Sequence, residues 1–211
     1  MKMPILTVIF LSLLISNGKA ATPAQTYWKL ENSRIGFFWI GFNLSADYLT
    51  NFMYGRGQTK RPGSELLGIP AVKNHVAGQR AEIMAAVKRD LGRGIYKQGS
   101  QVIVRRLTSL GRSWPNDFFF AIGGCTIDSY ATVSIGNADR YGRITCRIVD
   151  MYSQLTDVYK WDPGDAYYMT PWSGMFEYNE VAFYAAQGYA TNFVIISSPL
   201  RWNEFLTSFT L

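Results

Sequence analysis

The chain has 211 residues, of which 48% are hydrophobic and 15% aromatic, and a formal net charge of +6. This length and composition can build one ordinary hydrophobic core and exclude a disordered or low-complexity chain. One histidine and two cysteines exclude a structural zinc site with four nitrogen or sulfur ligands from this chain alone.

The first twenty residues have the pattern of a secretory signal peptide. Lys2 gives a positive start, residues 5–15 are apolar, and a small and polar run ends at Ala20. The apolar block is too short to span a bilayer comfortably, and no other segment approaches about 20 apolar residues. We therefore expect cleavage after Ala20 and a secreted or periplasmic protein. An uncleaved anchor is the alternative, because Lys19 is an ordinary flank for either segment.

We assign residues 21–43 to an N-terminal extension and residues 44–211 to a single domain. Helical spacing of apolar residues predicts a helix that follows Asn43 and stops at Gly55. A second helix is predicted over residues 79–91. The Gly/Pro-rich stretch between these helices is predicted to be a loop, and it lacks the phosphate-binding pattern GxxxxGK[ST]. His75 has no nearby Cys or Ser context of a nucleophile, so we expect it to be structural or incidental.

From residue 101 onward the pattern becomes that of β-strands. Strands are predicted at 102–104, 118–122, 130–135 and 143–152, with a hairpin loop over 137–142. A third helix over 178–187 and a final strand over 192–197 complete the chain. Cys125 and Cys146 both lie in strand-like sequence, and in an exported protein they either form one disulfide or stay as two free thiols. In a simple hairpin the two sulfurs would not be directly opposite, so the disulfide would require a bulge or a second layer.

Two groups of basic residues are dense enough to meet phosphates or an anionic membrane surface. They are Lys88, Arg89 and Arg93, and Arg105, Arg106 and Arg112. The alternative is an ordinary solvated face. We expect no nucleic-acid partner, because the chain is exported and lacks a recognisable reader motif.

Residues 157–165 combine three carboxylates with two aromatic side chains. Asp157, Asp162 and Asp165 repel one another unless a cation, backbone amides or a proton offsets the repulsion. A solvated turn is the alternative, because Pro163 and Gly164 form a good turn dipeptide. Four aromatic residues in and after this segment would form a binding surface if exposed, or would pack in the core: Trp161, Tyr167, Tyr168 and Trp172.

The order of elements resembles the activity domain of colicin M-type bacteriocins, over roughly residues 44–198. The residues that carry the resemblance are Asn116-Asp117-Phe118 running into Ala121-Ile122-Gly123-Gly124, and Asp157-Val158-Tyr159. The resemblance implies an α+β fold in which N-terminal helices pack on an antiparallel, curved sheet.

The resemblance also implies an activity. Enzymes of this family cut the lipid-linked peptidoglycan precursor at its phosphate, aided by Mg²⁺, and their diagnostic segment is Asp-x-Tyr-Asp followed by a His-Arg pair. Asp157 and Tyr159 match the first Asp and the Tyr, whereas Lys160 occupies the second Asp position and no His-Arg pair follows. Asp162 or Asp165 would then supply the absent carboxylate.

Two hypotheses about function result. In the first, the protein is an exported toxin or hydrolase acting on a lipid-linked envelope precursor at the membrane surface. Its catalytic residues would be Asp157, Tyr159 and Asp162, and Asp157, Asp162 and Asp165 would bind Mg²⁺. In the second, the protein is a non-catalytic exported binding module for an envelope lipid, a glycan or a protein.

Overall fold

A computed structural model describes residues 21–111, 117–161, 166–168 and 175–211. The chain forms two compact units that alternate along the sequence. Among the described residues, the first unit consists of 21–60, 117–123, 158–161, 166–168 and 175–194. The second unit consists of 61–111, 124–157 and 195–211. The fold class predicted from the sequence, α+β, is confirmed.

The described residues of the first unit form four helices and one pair of short antiparallel strands. The helices are α1 (Pro23–Trp39), α2 (Asn43–Tyr54), α4 (Asp117–Ala121) and α5 (Tyr178–Ala186), and the strands are β4 (Ala166–Tyr168) and β5 (Met175–Glu177). Helix α1 begins with a capping box, in which the Gln25 amide donates to Thr22 Oγ1 and the Thr22 amide donates to Gln25 Oε1. Its Leu30 and Phe37 side chains are fully buried. Residues 21–43, assigned to an extension, thus contain a packed helix.

Helix α2 confirms the first predicted helix, and α5 confirms the third. The prediction of a strand over 118–122 is wrong, because residues 118–121 belong to the short helix α4 and Ile122 lies in the turn after it. Three consecutive phenylalanines suggest a strand, but among the described side chains of α4 Phe118 and Ala121 are buried, three residues apart. That spacing places both side chains on one face of a helix.

The second unit contains helix α3 (Pro70–Gly92), which packs against strands β1 (Gln101–Leu110) and β2 (Cys125–Ala138). Helix α3 begins nine residues earlier than predicted. Pro70 occupies the first turn, where its missing N–H costs nothing, and Val72 and Val76 continue the buried stripe formed by Ile83 and Val87. The predicted helix over 79–91 is therefore only the second half of α3.

One sheet has the strand order β1-β2-β3-β6, and β7 and β8 also pair with β3. Its strands are β1 (Gln101–Leu110), β2 (Cys125–Ala138), β3 (Ile144–Tyr159), β6 (Phe193–Ile196), β7 (Leu200–Arg201) and β8 (Ser208–Thr210). Strands β2 and β3 form the predicted hairpin, whose loop closes when the Asp139 amide donates to the Arg143 carbonyl at 2.9 Å. Two register shifts interrupt the β2/β3 ladder, and such bulges bend a strand.

A chain of hydrogen bonds crosses the core between α3 and the sheet. Gln79 Nε2 donates to Thr108 Oγ1 at 2.7 Å and to the Ile127 carbonyl at 2.9 Å, and Gln79 Oε1 accepts from the Ser129 hydroxyl. Ser129 bonds in turn to Ser153, whose Oγ accepts from the Trp202 indole N–H at 3.0 Å. His75 Nε2 reaches Thr108 at the other end, at 2.7 Å, in agreement with the structural alternative for this histidine. These partners satisfy polar groups that would otherwise be costly to bury.

Of the two alternatives for Cys125 and Cys146, the structure has the free thiols and no disulfide. Both cysteines of the chain are buried and unbridged. Cys146 lies opposite Ile135 on β2, ten residues along that strand from Cys125. A strand rises about 3.4 Å per residue, so the two backbones are roughly 34 Å apart along β2, far beyond the reach of an S–S bond.

Among the described helices, none has both the length and the apolar character needed to span a bilayer.

Candidate functional site

Asp157 lies near the end of β3, at the point where pairing with β2 stops. The last pair of the β2/β3 ladder joins Thr126 to Thr156, which leaves Asp157 one residue beyond it. The Asp157 side chain is half-buried, and the neighbouring Cys125 thiol is buried. Burial, and secondarily the negative charge of Asp157, raise the pKa of Cys125 to about 12. The thiol beside Asp157 is therefore neutral at physiological pH.

Tyr159, the second residue of the matched motif, belongs to an aromatic cluster in the first unit. Its ring stacks on Phe193 with centroids 4.8 Å apart and contacts Phe52 with centroids 5.7 Å apart. The edge of Tyr48 lies against the same ring, with centroids 6.3 Å apart. Tyr159 is only 7% exposed. Its ring is thus part of the packing that holds the end of β3.

Trp161 is also a member of this cluster rather than of an exposed surface. It is 8% exposed and its ring lies 6.2 Å from that of Phe52, centroid to centroid. For Trp161 the core-packing alternative is correct. The same two alternatives, a binding surface and core packing, stay predictions for the other three aromatic residues. The structure does not describe the side chains of Tyr167, Tyr168 and Trp172.

Of the three proposed metal ligands, the structure describes Asp157 alone. Asp162 and Asp165 lie outside the described residues. Within the described residues, no three His, Cys, Asp or Glu side chains lie close enough together to hold a metal ion. The convergence of the three aspartates around Mg²⁺ therefore stays a prediction.

The basic groups noted in the sequence are largely ion-paired on the surface. Arg89 lies 2.7 Å from the carboxylate of Asp90, and Arg105 lies 2.8 Å from that of Asp128. Arg112 lies outside the described residues. The arrangement agrees with a solvated face.

Helix α1 presents a row of exposed aromatic and aliphatic side chains that the sequence reading missed. Trp28 is 61% exposed, Phe38 67% and Trp39 79%, and Ile35 lies between them at 41%. Trp28, Ile35 and Trp39 are seven and four residues apart, which places them on one face of the helix. The capping box formed by Thr22 and Gln25 was the sequence signal that could have identified α1.

No family model matches the chain, and no curated protein matches it. Among solved structures, the chain is similar to the truncated bacteriocin syringacin M from Pseudomonas syringae, with a TM-score of 0.44, 16% identity and coverage of 80% of this chain and 59% of that one. It is also similar to PaeM, a colicin M-like bacteriocin produced by Pseudomonas aeruginosa, with a TM-score of 0.43, 11% identity and coverage of 80% and 50%. The chain thus spans between half and three-fifths of the length of these structures.

Proposed function

We propose that this protein is an exported, colicin M-like toxin or hydrolase that acts on a lipid-linked peptidoglycan precursor at the membrane surface. The observation that supports the proposal is the position of Asp157. Its half-buried carboxylate lies where β3 leaves its partner β2, in the Asp-x-Tyr sequence that resembles the family motif. A partly accessible carboxylate can contact a ligand and still be held in place by its strand.

Cleavage at a phosphate requires a group that activates water and positive charge near the leaving oxygen. Asp157 is suited to accept a proton from water or to bind a hard cation through oxygen. Mg²⁺, when bound by Asp157, Asp162 and Asp165, would neutralise charge on the leaving pyrophosphate. In this proposal Asp162 is the second catalytic carboxylate. It takes the role of the second Asp of the family motif, because Lys160 occupies that position in this chain.

Tyr159 acts in this proposal as a positioning residue. Its ring is 7% exposed and stacked on Phe193, so it orients the end of β3 two residues from Asp157. Replacement by Phe would keep the ring packing and remove only the hydroxyl, so the rate of Tyr159→Phe separates a role of the ring from a role of the hydroxyl. Replacement by Ala would remove the ring packing, and both the free energy of unfolding and the rate of hydrolysis should fall.

The direct test incubates the purified full chain with the lipid-linked precursor and Mg²⁺ and measures release of the phosphorylated headgroup. Asp157→Ala should lower the rate by about a hundredfold or more, the usual effect of losing a general acid or base. Asp150→Ala is the matched control. Asp150 lies on the same strand, is 44% exposed and pairs with Arg201 at 2.9 Å, so its removal should leave the rate unchanged.

Absence of headgroup release by the wild-type chain would overturn the hydrolase proposal. Equal rates for the wild type and Asp157→Ala would remove Asp157 from the mechanism.

The metal assignment has a separate test that does not need the substrate. If Asp162 binds Mg²⁺, adding the ion should raise the melting temperature of the wild-type chain, because a ligand of the native state stabilises it. Asp162→Ala should abolish this increase, and Asp150→Ala should keep it. An equal increase in all three proteins would exclude the proposed ligand set.

A second candidate function, a non-catalytic binding module for an envelope lipid, is supported by the exposed row on α1. Tryptophan and phenylalanine favour the interface between lipid headgroups and acyl chains. The experiment is flotation with vesicles of phosphatidylethanolamine and phosphatidylglycerol. Trp39→Ala should reduce flotation, whereas Tyr141→Ala, at a residue 66% exposed on the β2/β3 loop, should not. Equal flotation of these variants would exclude α1 as the lipid-binding surface.

A further inference from the structure

Strand β1 is the edge of the six-stranded sheet. All ten of its residues, Gln101–Leu110, pair with β2 in an unbroken antiparallel register. In the described part of the chain, β2 is the only strand that pairs with β1. A long, regular edge strand presents backbone N–H and C=O groups to which another strand can add.

The side chains on the open face of β1 alternate in character. Ile103 is 71% exposed and Leu107 is 56% exposed, and Arg105 lies between them with its side chain 57% exposed. These three residues are spaced by two along the strand, so they point to the same face. The edge therefore displays an apolar, a basic and an apolar side chain in a row.

Arg105 retains hydrogen-bonding capacity. Its Nε donates to Asp128 Oδ1 at 2.9 Å and its Nη2 to Asp128 Oδ2 at 2.8 Å. Within the described residues, Nη1 of this guanidinium has no acceptor, and the group lies over the Tyr130 ring, 5.6 Å from its centroid. A second carboxylate could therefore bind Arg105 without displacing Asp128.

Charge argues against a second copy of this chain as the occupant of the edge. Antiparallel pairing of two β1 strands centred on Arg105 would place the two Arg105 side chains directly opposite each other, with the two Arg106 residues close by. Like charges directly opposite on neighbouring strands are destabilising. Arginines on an edge strand can protect the edge against self-association. That role does not explain why the apolar side chains of Ile103 and Leu107 are exposed beside Arg105.

We propose that the outer edge of β1 binds an extended peptide segment of a partner protein by strand addition. The segment would present apolar, acidic and apolar side chains at alternate positions. Its apolar residues would cover Ile103 and Leu107, and its carboxylate would bind Nη1 of Arg105. Its backbone would bond to the outer edge of β1, where it would replace the exposed Arg106 guanidinium that donates to the Arg105 carbonyl at 3.0 Å. This interaction surface is independent of the proposed hydrolase function.

The test uses the full chain and a short capped peptide in which valine alternates with threonine and the central valine is replaced by glutamate. Binding is followed by the chemical shifts and the hydrogen exchange of the backbone amides. Exchange should slow for residues in β1 and stay unchanged in α1. A peptide with lysine in place of glutamate should bind about two- to fivefold more weakly, as expected for one cross-strand charge pair.

Two controls separate strand addition from other contacts. A peptide N-methylated on the backbone along one edge should not bind, because it lacks the required donors. Ile103→Thr should weaken binding while keeping the circular dichroism spectrum, whereas Ile95→Thr should have no effect on binding. Ile95 is a matched control, since it is 62% exposed in the connection that precedes β1.

Three outcomes would overturn the proposal. The first is an absence of peptide binding by the folded chain. The second is equal binding of the N-methylated peptide, which would reduce the contact to side chains. The third is concentration-dependent dimerisation through β1 in the absence of peptide, which would make a second copy the occupant of this edge.

Discussion

The carboxylate of Asp117 caps a helix to which it does not belong. Helix α2 has no side-chain cap of its own. Instead, the amides of Leu44 and Ser45 donate to Asp117 Oδ2 and Oδ1 at 3.0 and 2.6 Å. The sequence places Asp117 more than seventy residues from these amides, so local patterns predict the helix but not its cap.

Replacing Asp117 by Ala should lower the free energy of unfolding by about 1–2 kcal/mol, the usual cost of losing an N-cap. Asp117→Asn keeps an acceptor oxygen and should cost less. Urea denaturation followed by circular dichroism measures both variants. Equal stability of Asp117→Ala and the wild type would show that solvent replaces the carboxylate at the start of α2.

His75 should make stability depend on pH. Burial is the main cause that lowers its pKa, and the nearby Glu82 opposes the effect. In the unfolded chain the histidine takes up a proton near pH 6.5, whereas the folded chain takes it up only at lower pH. The unfolded state therefore binds more protons in this range, and stability decreases as the pH falls below about 6.5.

The measurement is the free energy of unfolding between about pH 7 and about pH 5. His75→Gln does not titrate and can retain a hydrogen bond to Thr108, so its stability should decrease less over this range. A parallel decrease in both proteins would assign the pH dependence to other groups.

At the scale of elements, the hydrogen-bond chain fixes the position of α3 on the sheet. Gln79 is 2% exposed and Ser129 is fully buried, so neither can turn to water for a replacement partner. Local sequence patterns predict that Gln79 lies in a helix. They do not predict its hydrogen-bond partners, because these lie on β1 and β2.

Gln79→Leu should lower the free energy of unfolding by about 1–3 kcal/mol, because Thr108, Ile127 and Ser129 lose their partner in the core. Gln101→Leu, at an exposed position at the start of β1, should change it by less than about 0.5 kcal/mol. Thermal and urea unfolding measure both variants. A cost of Gln79→Leu as small as that of the control would show that the chain of bonds contributes little to stability.

Elements with one buried face were predictable, and elements defined by distant contacts were not. Helix α2 and the β2/β3 hairpin follow from local apolar spacing and turn residues. Helix α1 was missed because Trp28 and Trp39 are exposed while Thr26 and Ser33 are buried, so the apolar residues do not mark its buried face. Helix α4 was mistaken for a strand because consecutive phenylalanines fit both structures.

At the scale of the whole molecule, stability should not depend on an oxidising environment. Cys125 and Cys146 are buried and far apart along the β2/β3 ladder, and burial raises the pKa of both thiols. A thiol-reactive dye should label neither cysteine in the native protein and both in denaturant. The melting temperature should be the same with and without dithiothreitol. A decrease in melting temperature on reduction would contradict the register that separates these residues.

The sequence predicted the α+β class of the whole molecule and only part of its candidate site. Asp157 could be singled out from its motif, and the structure places it at a strand end with a half-buried side chain. The burial of Tyr159 and Trp161 depends on Phe52 and Phe193, residues from opposite ends of the chain. Their exposure could therefore not be derived from the acidic segment itself.

The alternation of the two compact units along the chain limits how the protein can be dissected. Each unit draws on separate stretches of sequence, so a cut at any single position within residues 61–194 removes parts of both. A truncation series with endpoints there should yield proteolysis-sensitive fragments instead of a minimal active piece. Mapping activity in this protein therefore calls for point substitutions in the intact polypeptide.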